Sequence, residues 1–160
     1  MEEYKPKFLL HEGDLFPDVT LFNQDIEERS IYKVVSKYTI LFFYPEDDTP
    51  TCTKEACGLR DNLARLKEHD CTVFGISPDS AKSHQKFISK YGLNYDLLTD
   101  KDHLLADALG IWGEKFTFGR AYEGLHRVSY ILNQEKKIQH LIYPVESQNH
   151  TQQILDRINS

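Results

Sequence analysis

Residues 38–66, YTILFFYPEDDTPTCTKEACGLRDNLARL, change period midway, and that change decides the fold. Tyr38 to Tyr44 is a continuous apolar, aromatic and β-branched run ended by Pro45, the composition of a strand buried on both faces of a parallel sheet. From Cys52 onward, Cys52, Ala56, Leu59, Leu63 and Leu66 recur at steps of four and three between charged residues. That spacing predicts one amphipathic helix starting near Cys52 and running through Leu66. Strand, short loop and helix in succession are the unit of a layered α/β sheet.

The flanking sequence repeats the alternation. Cys71 to Ile76 (CTVFGI) reads as a second buried strand, and Ser77-Pro78-Asp79-Ser80 supplies a turn and N-cap for a helix over 82–91 that Gly92 ends. Further strands are predicted over 96–98, 128–132 and 138–142, with a short helix over 104–109 and a terminal helix from Asn149. The polar connection Asn133 to Lys137 is short enough for a hairpin, which makes the sheet mixed. Gly110 to Gly124, with Trp112, Phe116, Phe118 and Tyr122 set among glycines, reads as an irregular loop whose aromatics serve loop and core packing.

With 160 residues, 40% of them hydrophobic and 28% charged, the chain suffices for one core, and a single domain over 1–160 is expected. The opening residues MEEYKPKFLLHEGD lack the pattern of a secretory leader, and no run is apolar long enough to span a bilayer. A soluble, cytoplasmic protein is expected. A net charge of −6 without a basic block argues against nucleic acid and anionic membrane as partners. Three cysteines are too few for a secreted disulfide scaffold and point to redox or metal chemistry in a reducing compartment. A C-x4-C pair without a second ligand pair at metal-site spacing argues against a metal, and no cofactor motif is present.

Cys52 stands where a buried strand has ended and a helix begins, the side of an open α/β sheet on which ligands bind. Unpaired N–H groups and the partial positive charge of a helix N-terminus favour thiolate over thiol. At an exposed position that field contributes less than about 1 kcal/mol, so a full cation and hydrogen-bond donors are required as well. Thr49, three residues ahead, offers a hydroxyl; the cation must come from an arginine distant in sequence.

Pro45-Glu-Asp-Asp-Thr49-Pro-Thr-Cys52 resembles the peroxiredoxin signature, and the continuation Cys52-Thr-Lys-Glu55-Ala-Cys57-Gly-Leu-Arg60-Asp61 resembles the subfamily called peroxiredoxin Q or bacterioferritin comigratory protein. Gly13-Asp14, Pro17-Asp18, Gly75-Ile76-Ser77, Trp112-Gly-Glu-Lys115 and Gly124-Leu-His-Arg127 extend the likeness over nearly the whole chain; Thr51 stands where this subfamily often has glycine. The resemblance implies a thioredoxin-like α/β fold, with a central mixed sheet flanked by helices and N-terminal additions. It also implies a thiol peroxidase acting on hydrogen peroxide and organic hydroperoxides, recycled by thioredoxin or a similar dithiol, and a monomer. Cys52 is then the peroxidatic cysteine and Cys57 the resolving one, with Pro45, Thr49 and Arg127 forming the peroxide pocket.

Residues five apart on a helix lie about 140° apart around it and roughly 8.7 Å apart at Cα, beyond the roughly 7 Å a disulfide tolerates. A Cys52–Cys57 bond therefore requires the start of the helix to unwind. Each residue also has a plainer reading. Thr49 can cap the helix or sit in a turn with Pro50, and Pro45 can simply end the strand. Glu55 is equally a first-turn acid favoured by the helix dipole or the group that orients Arg127. By residue type alone Arg127 cannot be preferred to His126 or Arg120, and Cys71, opening an apolar strand, reads as core. Thiol–disulfide oxidoreductases typically carry C-x-x-C rather than C-x4-C, which disfavours that rival; a non-enzymatic redox sensor or holdase would use the same cysteine switch.

Overall fold

The computed structural model describes residues 4–159. Two short strands, β1 (Thr20–Phe22) and β2 (Glu28–Ser30), precede β3 (Tyr38–Phe43), every residue of which is buried. Helices α1 (Pro50–Asp61) and α2 (Leu63–Glu68) lead to β4 (Cys71–Ser77), and α3 (Ala81–Tyr91) leads to β5 (Asp96–Thr99). Then come α4 (Leu104–Leu109), β6 (Trp112–Thr117), β7 (Arg120–Leu125), β8 (Val128–Leu132), β9 (Ile138–Ile142) and α5 (His150–Ile158).

Seven strands form one sheet in the order β2-β1-β5-β4-β3-β8-β9. β3, β4 and β5 are parallel and joined by helical crossovers; β8 pairs antiparallel with β3, β9 with β8, and β1 with β5. The expected mixed, thioredoxin-like sheet is observed, and the β1–β2 pair is its N-terminal addition. Alternate side chains of β3 serve opposite faces. Ile40 and Phe42 pack with Cys52, Ala56, Leu59, Leu63 and Leu66, with Phe87 of α3 and with Ile154 and Leu155 of α5. Leu41 and Phe43 pack on the other face with Leu105, Ala106 and Leu109 of α4.

Local signals set the helix ends. Ser80 Oγ accepts from Ser83 N at 3.2 Å to start α3, and Gly92 closes it in the left-handed conformation at φ 63°. The predicted continuous helix through Leu66 is in fact two. Asn62 leaves helical geometry (φ −112°, ψ 11°) and its Nδ2 donates to Gly58 O at 2.8 Å, the kind of local side-chain bond that competes with the helix ladder. Leu63 and Leu66 stay buried because α2 resumes over the same face.

The segment read as an irregular loop is a regular hairpin. β6 and β7 pair antiparallel from Trp112↔Leu125 to Thr117↔Arg120 through the two-residue turn Phe118-Gly119, both at positive φ (55° and 79°) as a type I′ turn requires. Of its aromatics only Trp112 packs on the core; Phe116 and Tyr122 are exposed and Phe118 is 101% exposed. The hairpin projects from the sheet with little buried face, so no apolar alternation marks it, and the paired glycines Gly113 and Gly124 resemble breakers.

The N-terminal segment runs along β9. Gly13 N donates to Ile138 O (2.7 Å), Ile138 N to Asp14 O (2.8 Å), and Leu141 N to Glu12 Oε2 (3.1 Å), with Leu15 bridged to Lys137.

Candidate active site

The sheet order delivers the site. β8 runs antiparallel to β3 with Val128 opposite Phe43, so the residue before β8, Arg127, lies beside the end of β3 from which the chain passes into α1. Cys52 is the third residue of α1 and is buried. Arg127 Nη2 donates to Cys52 Sγ at 3.1 Å and Nη1 donates to Glu55 Oε1 at 2.6 Å. Glu55 follows Cys52 by three residues, which puts both on one helix face where a single guanidinium meets them.

The carboxyl of Glu55 is fully buried, and burial pushes its pKa up to about 7 against the pull of Arg127. Burial opposes charge on Arg127 too, but Glu55 and Cys52 hold its pKa above the usual guanidinium value. Glu55 Oε2 has no hydrogen-bond partner among the described residues and faces His150 Nε2 at 3.5 Å. Because burial pushes His150 down to about 4, that contact at neutral pH is not an ion pair. Ser129, two residues beyond Arg127, bonds the same Nε2 at 2.8 Å. Lys115 of β6 donates Nζ to Leu125 O at 2.8 Å, and its field reaches Cys52 and Arg127; burial lowers its pKa.

The loop between β3 and α1 is stapled to α3 and to the turn that precedes it. Asp47 accepts from Tyr44 Oη (2.6 Å) and Ser83 Oγ (2.8 Å), pairs with His84 Nδ1 (2.7 Å), and gives its N–H to Asp79 Oδ2 (2.7 Å). Asp48 accepts from Lys90 Nζ at 2.8 Å and Tyr91 Oη at 2.7 Å. Pro45 opens this loop, half-buried. Thr49 is the N-cap of α1, but its hydroxyl donates to Glu46 O at 3.0 Å; the polar group on the sulfur in this structure is Arg127.

Cys57, half-buried, lies on unbroken α1 and packs against the core; Cys52, Cys57 and Cys71 are all free. Cys71 is a buried residue of β4, and burial pushes its thiol up to about 11, in keeping with a core role. Of the three candidate cations, His126 is buried and bonds Glu114 O at 3.1 Å, Arg120 is exposed on the hairpin, and Arg127 alone among them meets Cys52. His150, Ser129 and Lys115 were not singled out from sequence. Of these only Lys115 lies within a stretch that carries the family resemblance, Trp112-Gly-Glu-Lys115.

Residues 13–141 match the AhpC/TSA family. Among individual relatives, the bcp protein of Haemophilus influenzae is 40% identical over 92% of this chain and 96% of its own. Peroxiredoxin Bcp of Escherichia coli is 37% identical over 92% of this chain and 94% of its own. Among solved structures, peroxiredoxin Q of Xanthomonas campestris superposes with a TM-score of 0.84 at 25% identity, covering 95% of this chain and 96% of that one.

Proposed function

The chain belongs to the AhpC/TSA family as a peroxiredoxin of the Bcp or Q type, a thiol peroxidase, and from that premise we propose a two-cysteine cycle run by Cys52 and Cys57. The observation that carries it is the single guanidinium shared by Cys52 Sγ and Glu55. The Cys52 thiolate attacks one oxygen of a hydroperoxide, hydrogen peroxide or an organic one. An S–O bond forms, the O–O bond breaks, and sulfur loses two electrons to the peroxide. The departing oxygen takes a proton and leaves as water or alcohol. Arg127, already within 3.1 Å of the sulfur, stabilises the charge that grows on that oxygen, and Thr49 and Pro45 shape the rest of the pocket.

The Cys52 sulfenic acid condenses with the Cys57 thiol, expelling water and forming a disulfide. On intact α1 the two residues lie about five helical positions apart, too far to bond, so the first turns unwind. The bonds from Asp47 and Asp48 to α3 support a fixed anchor on the loop side of that movement. A dithiol of the thioredoxin kind then reduces the disulfide, in the reducing cytoplasm, with the protein acting as a monomer. Peroxide-dependent turnover with thioredoxin and its reductase tests the cycle: the wild type turns over, Cys52→Ser is inactive and Cys57→Ser stalls after one equivalent. Wild-type protein that consumes no peroxide under these conditions would overturn it.

A further inference from the structure

Glu55 and His150 make an arrangement that the peroxide chemistry leaves unused. Gln153 Nε2 donates to Pro144 O at 3.1 Å, which leaves Gln153 Oε1 as an acceptor; it takes the Glu146 N–H at 2.9 Å and faces His150 Nδ1 at 3.2 Å. His150 Nδ1 therefore carries the ring proton, and Nε2 presents a lone pair to the Ser129 hydroxyl at 2.8 Å. An ionised Glu55 would set two acceptors, Oε2 and Nε2, face to face at 3.5 Å with no proton between them. A neutral carboxylic acid removes that conflict.

Charge counting leads the same way. Arg127 is hydrogen-bonded to both acids, so ionising both Cys52 and Glu55 sets two anions on one guanidinium in a buried site. The balanced states are thiol with carboxylate and thiolate with carboxylic acid, and only the second is nucleophilic. The other groups near the carboxyl do not displace this pairing. The Tyr95 phenol is driven well above its usual pKa by burial and stays neutral, and Arg65 lies across a cavity of about 130 Å³ between α1 and α5 that Glu55 and His150 also line. Lys115 bears on Cys52 and Arg127. The cavity is large enough to admit water, and under this proposal it is the route by which a proton reaches Glu55 without passing through the sulfur.

We propose that Glu55, oriented by His150, takes up a proton as Cys52 gives one up, so that the reactive site consists of thiolate, guanidinium and neutral carboxylic acid. The S–H bond breaks, the carboxylate gains an O–H bond, and the site's total charge is unchanged. The elevated pKa of Glu55 agrees with this assignment. His150 is a positioning residue, acting on the sulfur only through Glu55 and Arg127. The proposal rests on the reading of Cys52 as the peroxidatic cysteine.

Infrared spectroscopy of the reduced protein at neutral pH tests it without turnover, so a failed peroxidase assay and a failed proton assignment remain distinct. A neutral-carboxyl stretch should be present in the wild type, absent from Glu55→Gln, and diminished in Cys52→Ser, where no thiolate forms. His150→Phe should move the band without abolishing it and His150→Asn should bring it back toward the wild-type position, which lost packing alone would not do. In the peroxide step, the wild-type pH profile should carry a transition near pH 7, where Glu55 loses its proton, that the permanently neutral Glu55→Gln lacks. Absence of the band from the wild type, its survival in Glu55→Gln, or identical pH profiles for the two proteins would each overturn the proposal.

Discussion

Arg127 donates to the sulfur of Cys52 at 3.1 Å although 75 positions separate them in the chain. The β3–β8 pairing closes that separation, because Val128 sits opposite Phe43 at the end of the strand that feeds α1. The same guanidinium holds Glu55, so one substitution removes the cation from both acids.

Arg127→Ala should slow oxidation of Cys52 by hydrogen peroxide about a hundred- to a thousandfold, the usual cost of losing one donor to a developing oxyanion. Stopped-flow kinetics measure the step, and circular dichroism should show the fold retained. An unchanged rate constant would remove Arg127 from the chemistry.

Cys57→Ser should react with its first peroxide equivalent at the wild-type rate and then hold Cys52 as a sulfenic acid open to further oxidation. Mass spectrometry of the oxidised wild type should find a Cys52–Cys57 link. Cys71 is a poor substitute, its thiol pushed up to about 11 by burial in β4; a Cys52–Cys71 link would nevertheless transfer the resolving role to it.

Stability against pH should expose two opposed dependences in single variants. Glu55 titrates near 7 folded against about 4.5 unfolded, so its contribution is present at low pH and lost as pH rises through 7. His150 titrates near 4 folded against about 6.5 unfolded, so its contribution is present above 6.5 and lost as pH falls through 4. In the wild type the two largely cancel between about pH 4.5 and 6.5. Relative to the wild type, Glu55→Gln should gain up to about 1.4 kcal/mol per pH unit as pH rises across that interval, and His150→Gln should gain as much as pH falls. Urea titrations at several pH values give the slopes; parallel curves for all three proteins would contradict the assignment.

Gly75→Ala should destabilise the protein by about 1–3 kcal/mol through overpacking. A Cβ there meets Leu97 Cδ2 and Phe42 Cζ, each at 2.7 Å, in the middle of the sheet. Denaturant midpoints measure the cost, and a midpoint equal to that of the wild type would mean that Phe42 and Leu97 yield freely.

How much of this was legible in the sequence follows burial. The runs at Tyr38 to Tyr44 and Cys71 to Ile76 could be read because strands covered on both faces are apolar throughout. The 112–125 hairpin could not, since exposed strands carry no such pattern and Gly113 and Gly124 look like breakers until they are seen paired. Cys52 declared itself by its place between strand and helix, whereas Arg127 was reached only through family resemblance, because the pairing of β3 with β8 is not written in local spacing. His150 left no trace: a histidine opening an amphipathic helix looks like any polar first-turn residue, and only the tertiary fold turns it toward Glu55.

The run of residues 12–15 along β9 bears on aggregation. An open sheet edge offers free N–H and C=O groups as a template for strands of other chains. Here the chain's own Gly13, Asp14 and Glu12 occupy those groups on Ile138 and Leu141. At the opposite margin, β2 is only three residues long and carries Glu28 and Arg29. Trimming the chain to begin after Leu15 should therefore leave catalysis largely in place yet convert β9 into a sticky border, and the shortened protein should lose solubility on standing before it loses its fold.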